Sequence, residues 1–407
     1  MASSRMKPSI LNCLVNCFLF YFMQNRGALL FRIGLALRFK GSLSQKIKYL
    51  SFLRLAQKNG VARSRWDRVA EMYIDDYYNY QGASKQEKEW AYSHGFSSYK
   101  LSEWYGITKD NYSDYMSDFV FYNPRYYIHT PELKALYEHK CCTYFTLQPF
   151  KDSMPHHYFF LREGRVIPLD VTDKNDYDIV SIIELIKERP IVAKACVGGH
   201  GLGFFKLVYA QDEGIFIVND KQSKTEEELV SLLSKLDNYI ITDFEIPKKE
   251  YVDLCGPDAF AVIRVITVFN PKDGPQLTAA LIRLGCKESG VTTDYKGTIY
   301  CGITLDDGVT FKPLIRVTDD LCAPCLEHPD THKQLSGLSI PNWENLKKLV
   351  LDVSNYLAVT PYLVVDIVPT EKGFSILEIN SHGQVRNMEP FYPFFENKYN
   401  RAVFEKD

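Results

Sequence analysis

The sequence predicts an α+β protein with a mainly helical N-terminal region. Two observations carry this. Residues 42–120 are polar and aromatic, with helix-permissive runs such as Lys85–Ser93, and Gly95, Gly106 and Asn111 punctuate them. From about residue 130 onward, short β-branched and aromatic runs alternate with apolar-periodic helical stretches, and the series ends in a hairpin pattern over residues 362–380.

Composition narrows the function classes. The chain has 407 residues, 46% hydrophobic and 24% charged, enough for a large core and two or three domains. A net charge of -2 argues against a general nucleic-acid binder, which shows a basic excess. The 10 cysteines follow no framework spacing and read as reduced thiols of a cytoplasmic protein. Cys322, Cys325, His328 and His332 have zinc-ligand chemistry, and Cys322-Ala-Pro-Cys325 has a redox spacing. Cys325 and His328 are too close for a zinc finger, so the stretch reads as an ordinary loop.

At the N-terminus, residues 10–23 form an apolar run preceded by Arg5 and Lys7. Asn12 and Asn16 interrupt it and no small-x-small cleavage site follows. It is too short for a membrane span, and Arg26 and Arg32 break its continuation. Residues 5–54 carry many Lys and Arg and no acid. That mixture suits an interfacial helix on an anionic membrane, or a helix packed on the protein body or a second subunit. Residues 42–120 present no catalytic constellation.

Residues 131–145 predict a helix with Thr130 as N-cap, Pro131 at the first position, Glu132 in the first turn and Lys140 near the end. Strands follow at 158–161 and 166–171 around a turn at Gly164, then a helix over 179–187 that stops before Pro190. Residues 190–209 are more informative. A strand carries Lys194, a loop holds Gly198, Gly199, His200, Gly201 and Gly203, and a second strand follows. Closely spaced glycines let backbone N–H groups approach phosphate oxygens. The Lys precedes the glycines and no Ser/Thr follows, so this is not a Walker A loop; no helix follows, so it is not a Rossmann turn. It reads as a flap over a nucleotide, with a plain hairpin loop as the alternative.

Thr225 and Glu228 form a capping box for the next helix. Residues 239–246, YIITDFEI, make a strand that turns polar and can offer main-chain groups to a base and an acid to a sugar. Residues 259–269 form an apolar strand interrupted by Arg264, which must be paired or face a site. Arg283 is a second basic candidate, in a strand over 276–285. Strands at 298–304 and 309–315 complete an antiparallel set, and a helix over 343–357 leads into the hairpin. Folding the hairpin about Lys372 puts Asp366 opposite Glu378, with Asn380 on the same face. Facing carboxylates are unfavourable unless a cation lies between them, and these oxygen donors suit Mg²⁺. A half-buried hairpin with solvated acids is the alternative.

The order of these pieces, from about residue 130 to 390, resembles the ATP-grasp superfamily. AFAVIRVITVF, the EHPDT run at 327–331 and IPNWE before the last helix are similar to its sugar-transfer-associated branch. Asp243 stands where that family commonly has Glu, and Gly383-Gln384 is not diagnostic.

The resemblance implies an ATP-grasp fold, two α+β subdomains clamping ATP and Mg²⁺. The residues themselves read as a basic-apolar segment at 1–60 and a helical aromatic-rich region at 61–129; the resemblance implies an ATP-grasp domain at 130–407, divided into a flap-bearing part (130–238) and a metal-binding part (239–407). Lys194 and Lys140 would hold phosphate oxygens, and residues 198–203 would cover the phosphates. Phe244 and Ile246 would read adenine, with Asp243 or Glu245 on the ribose. Asp366, Glu378 and Asn380 would hold the metal, and Arg264 would meet the transferring phosphate.

The implied activity is an ADP-forming carboxylate–amine ligase working through an acyl phosphate in surface-polysaccharide assembly. Its substrates would be a uronic or amino acid and an amine. The alternatives are a sugar phosphotransferase, or a silent nucleotide-binding partner of a glycosyltransferase. The expected setting is cytoplasmic, at the inner face of the membrane, with no nucleic-acid partner.

Overall fold

The computed structural model describes residues 27–124, 130–198, 203–220, 222–256, 260–289, 296–317, 322–381, 383 and 385–404. Two compact units divide the chain: residues 1–108 with 117–126, and residues 109–116 with 127–407. The apolar run at 10–23 lies outside the described residues.

The first unit is helical. Residues 27–38 are helical, followed by α1 (Leu43–Lys58), α2 (Trp66–Asn79) and α3 (Lys85–Ser93). Ser42 and Ser84 cap α1 and α3 through capping boxes. The expected boundary at residue 60 does not separate two cores, because Phe52 and Leu53 of α1 pack with Trp66, Tyr73 and Tyr92. Asp76 is buried, and its carboxylate accepts from Ser98 N (2.8 Å), Ser98 Oγ (2.6 Å), Tyr99 N (3.2 Å) and Tyr92 Oη (2.7 Å). Four donors satisfy a charge that would otherwise be costly to bury. Part of the tyrosine richness is thus core chemistry.

The second unit holds two seven-stranded antiparallel sheets. The first runs β2-β1-β7-β3-β4-β5-β6. Its strands are β1 (His157–Arg162), β2 (Arg165–Pro168), β3 (Ile191–Ala195), β4 (Phe204–Ala210), β5 (Ile215–Val218), β6 (Gln222–Lys224) and β7 (Tyr239–Asp243). Side chains alternate, so Ile191, Ala193, Leu207 and Ile241 point to one face. There they meet Ile182, Ile183 and Ile186 of α6 (Ile179–Glu188) and Leu229 and Leu233 of α7 (Glu226–Leu233). Val192, Lys194 and Lys206 fall on the opposite face.

The second sheet runs β12-β11-β10-β9-β8-β13-β14. It comprises β8 (Ala261–Asn270), β9 (Gly274–Leu284), β10 (Ile299–Ile303), β11 (Thr310–Arg316), β12 (Cys322–Pro324), β13 (Tyr362–Thr370) and β14 (Gly373–Asn380). Ile263, Val265, Ile282, Val365, Ile367, Ile376 and Ile379 pack on Trp343, Leu346, Val350 and Val353 of α9 (Trp343–Tyr356). The α9 positions recur every three or four residues, one stripe of a helix. The other face carries Arg264, Arg283, Asp366 and Glu378.

The helix expected over 131–145 is two helices, α4 (Pro131–Glu138) and α5 (Lys140–Thr146). Thr130 caps α4 as expected. His139 between them is extended, and the Lys140 amide donates to the Cys196 carbonyl at 3.0 Å instead of continuing the helical ladder. This break starts a new helix at Lys140 beside the loop that follows β3. The unit also holds α8 (Lys249–Cys255) and α10 (Lys398–Phe404).

Candidate active site

The hairpin sets the geometry. Its turn is two residues long, with Thr370 paired to Gly373. Regular pairing from that turn would put Leu377 opposite Asp366 and Glu378 on the core face beside Val365. A β-bulge prevents this: Ile367 pairs with Ile376, whereas Asp366 pairs with Glu378. The extra residue at Leu377 turns Glu378 onto the face of Asp366. Asn380 Nδ2 lies 3.4 Å from Glu378 Oε1.

Asp366 meets arginine on its other side. β8 neighbours β13 with Arg264 directly opposite Asp366. Arg264 Nε and Nη2 donate to Asp366 Oδ1 and Oδ2, each at 2.7 Å, and Arg283 Nη2 lies 3.0 Å from Oδ2. All three side chains are buried. Burial pushes the Asp366 carboxyl up, but the two guanidiniums reverse this and hold it well below the usual carboxylate range. Arg264 thus forks onto Asp366, and both Asp366 oxygens are engaged by arginine. Arg283, in a second apolar strand, shows the same sequence signal as Arg264 and belongs to this group.

Glu378 is half-buried. Burial and then the Asp366 charge raise its pKa, while the Lys140 and Arg264 cations oppose the rise. A cation near Glu378 would relieve this. Glu378 and Asn380 fit Mg²⁺, which takes one or two carboxylates and completes its shell with water and phosphate. Asp366 fits better as a fixed charge behind them. Among the described residues no group of three or more His, Cys, Asp and Glu gathers as a metal cluster.

Lys194 lies on β3, and the charge of Glu378 on β14 acts on it. Its pKa falls to about 8, chiefly through burial, with Glu378 and Glu245 opposing the fall and Lys140 adding to it. Lys140 Nζ donates to the Gly198 carbonyl at 3.2 Å, tying the start of α5 to the loop. Gly203 closes the described edge of that loop with φ +71, where a Cβ would meet Ala195 Cβ at 2.9 Å and Tyr239 Oη at 2.8 Å. Gly199, His200 and Gly201 lie outside the described residues.

From the end of β7 onward the candidates separate. Asp243 Oδ1 accepts from Tyr158 Oη at 2.8 Å, and Arg189 Nη1 donates to that Tyr158 oxygen at 3.3 Å. The Phe244 amide donates to the Pro190 carbonyl at 3.2 Å, so that N–H is already paired, and Lys206 Nζ lies 4.5 Å from the Phe244 ring. Glu245 is half-buried, and burial raises its pKa while the charge of Lys194 opposes the rise. Ile246 is exposed. Nothing in the sequence marked Tyr158, because it takes its meaning from a residue far along the chain.

The model of the family described as sugar-transfer associated ATP-grasp matches residues 125–389, more than half of the chain. The chain belongs to that family. Its antiparallel two-sheet unit and helical N-terminal region give the ATP-grasp fold expected from sequence.

Solved structures are similar to this ATP-grasp chain only distantly. D-alanyl-alanine synthetase A from Vibrio cholerae aligns at 12% identity and TM-score 0.35, over 64% of this chain and 60% of that one. N5-carboxyaminoimidazole ribonucleotide synthetase from Thermotoga maritima aligns at 10% and 0.30, over 60% and 42%. Biotin carboxylase from Campylobacter jejuni aligns at 10% and 0.37, over 67% and 47%. The chain thus spans about half the length of these structures. No curated protein sequence matches it.

Proposed function

We propose that this chain is an ATP-dependent ligase that joins a small-molecule carboxylate to an amine through an acyl phosphate, in surface-polysaccharide assembly in the cytoplasm. The observation that most supports this is the electrostatic grouping of Lys140, Lys194, Glu245 and Glu378, drawn from α5, β3, the segment after β7, and β14. Two ammonium groups beside two carboxylates match a polyphosphate with its counter-ion and a sugar hydroxyl.

In this reading Lys194 and Lys140 hold phosphate oxygens, and the loop at 198–203 covers them. Glu245 takes the ribose, since Asp243 is tied to Tyr158. The segment at 244–246 lies against the base. Glu378 and Asn380 present oxygens to Mg²⁺, which when bound neutralises charge on the bridging phosphate oxygens. Arg264 and Arg283 are positioning residues: they fix Asp366, whose charge orients the Glu378 side of the site. The sheet of β1 to β7 carries the loop and the sheet of β8 to β14 carries Asp366 and Glu378; because β7 pairs between β1 and β3, the division expected at 238/239 falls after β7 instead.

The chemistry balances in two steps. A substrate carboxylate oxygen attacks the γ-phosphorus, the bond to the β-phosphate oxygen breaks, and ADP leaves. The amine nitrogen then attacks the acyl carbon, the carbon–oxygen bond to phosphate breaks, and the nitrogen loses its proton to solvent. Such transfers need alignment and charge neutralisation more than covalent help. Phosphate release with pooled uronic acids, amino acids and amines tests the reading, with hydroxylamine trapping of the acyl phosphate as a hydroxamate. A stable phosphosugar instead would make the enzyme a phosphotransferase, and nucleotide binding without turnover would make it a silent partner.

A further inference from the structure

The first acidic residue of the chain is Asp67. The 66 residues before it hold 12 of the 48 Lys and Arg and none of the 50 Asp and Glu, which leaves -14 for the rest of the chain. So uneven a partition gives this segment a fixed positive potential whatever the net charge of the protein.

The structure adds a second, independent feature. The helix at 27–38 and α1 do not bury all their apolar residues. Leu29, Leu30, Ile33 and Leu37, spaced as one helical face, are exposed, Leu30 at 69% and Leu37 at 70%. Leu43 (76%) and Ile47 (61%) extend the exposed apolar set along α1. Six large aliphatic side chains exposed on consecutive helices are more than scattered surface leucines. The opposite sides are well packed: Ala28 and Ala36 join the core with Tyr49, Phe52, Leu53 and Ala56. Cations flank the apolar face, with Arg38, Lys40 and Arg54 exposed. No helix among the described residues is long and apolar enough to cross a membrane.

We infer that this face docks the protein on an anionic lipid surface, with the leucines in the interfacial layer and the cations against headgroup phosphates. Apolar insertion together with electrostatic attraction is the pairing that gives reversible interfacial binding. Charge selects this occupant over a second copy: two acid-free faces brought together would repel, whereas an anionic bilayer supplies the missing counter-charge.

Co-sedimentation of the full chain with vesicles tests this, using pure phosphatidylcholine and phosphatidylcholine with about one-third phosphatidylglycerol. Binding is expected only to the anionic vesicles and should fall steeply with salt. Leu30→Glu with Leu37→Glu, and separately Arg38→Glu with Lys40→Glu, should each weaken it at least about tenfold. Failure of the wild-type chain to bind anionic vesicles overturns the inference, whatever the variants do. So does wild-type self-association that the Leu→Glu pair abolishes while vesicle binding stays unchanged, which would assign the face to a second copy.

Discussion

Arg264 and Asp366, 102 residues apart, stand directly opposite each other in the β8–β13 ladder and share two hydrogen bonds of 2.7 Å. The pair is buried, and Arg283 reaches the same carboxylate. Breaking one side of such a pair leaves the other as a poorly compensated buried charge. Arg264→Ala is therefore expected to cost about 3–5 kcal/mol in urea unfolding. A wild-type unfolding midpoint in this variant would remove the argument that the pair fixes the sheet face.

Glu378 gives an opposite sign. Its folded pKa is raised, so between its unfolded value and that raised value the folded state holds the extra proton. Without Mg²⁺ and nucleotide, stability should fall as pH rises through this window, and the penalty should persist above it. Glu378→Gln should remove the penalty and raise the Tm of the ligand-free protein at neutral pH, while abolishing turnover and the thermal shift on adding Mg²⁺ and ATP. Retention of that shift would exclude Glu378 from the metal site.

Lys194 titrates near pH 8 without ligand. A bound phosphate would favour the ammonium and raise that pKa, so binding above pH 8 requires proton uptake. Nucleotide affinity, measured by calorimetry, should be flat below about pH 8 and weaken by up to about tenfold per pH unit above it. Lys194→Arg, which keeps its charge, should flatten the profile. A profile that stays sloped in this variant would point to another group.

Asp243 at the end of β7 and Glu245 just after it should separate in nucleotide affinity. Glu245→Gln is expected to weaken binding about tenfold, the scale of one hydrogen bond to a charged group. Asp243→Asn should cost less than about threefold, because its carboxylate is held by Tyr158. A larger effect at Asp243 would exchange the two assignments.

The sequence by itself determined the local structure. Caps at Thr130 and Thr225, the helices around Lys85 and Ile179, and the strands bearing Lys194, Arg264 and Arg283 follow from periodicity and turn residues a few positions apart. The family and its fold were also legible, since the order of lysine strand, glycine loop and acidic hairpin survives in one dimension. Tertiary structure decided which charges meet. The bulge at Leu377 puts Glu378 opposite Asp366, where the expected turn centre had reached the same pairing by a different route. Strand adjacency gives Asp366 to Arg264 and Arg283, and packing gives Asp243 to Tyr158. The physical reason is range: helix caps and pleats depend on neighbours within about four residues, whereas a buried charge takes whatever partner the sheet order brings to it.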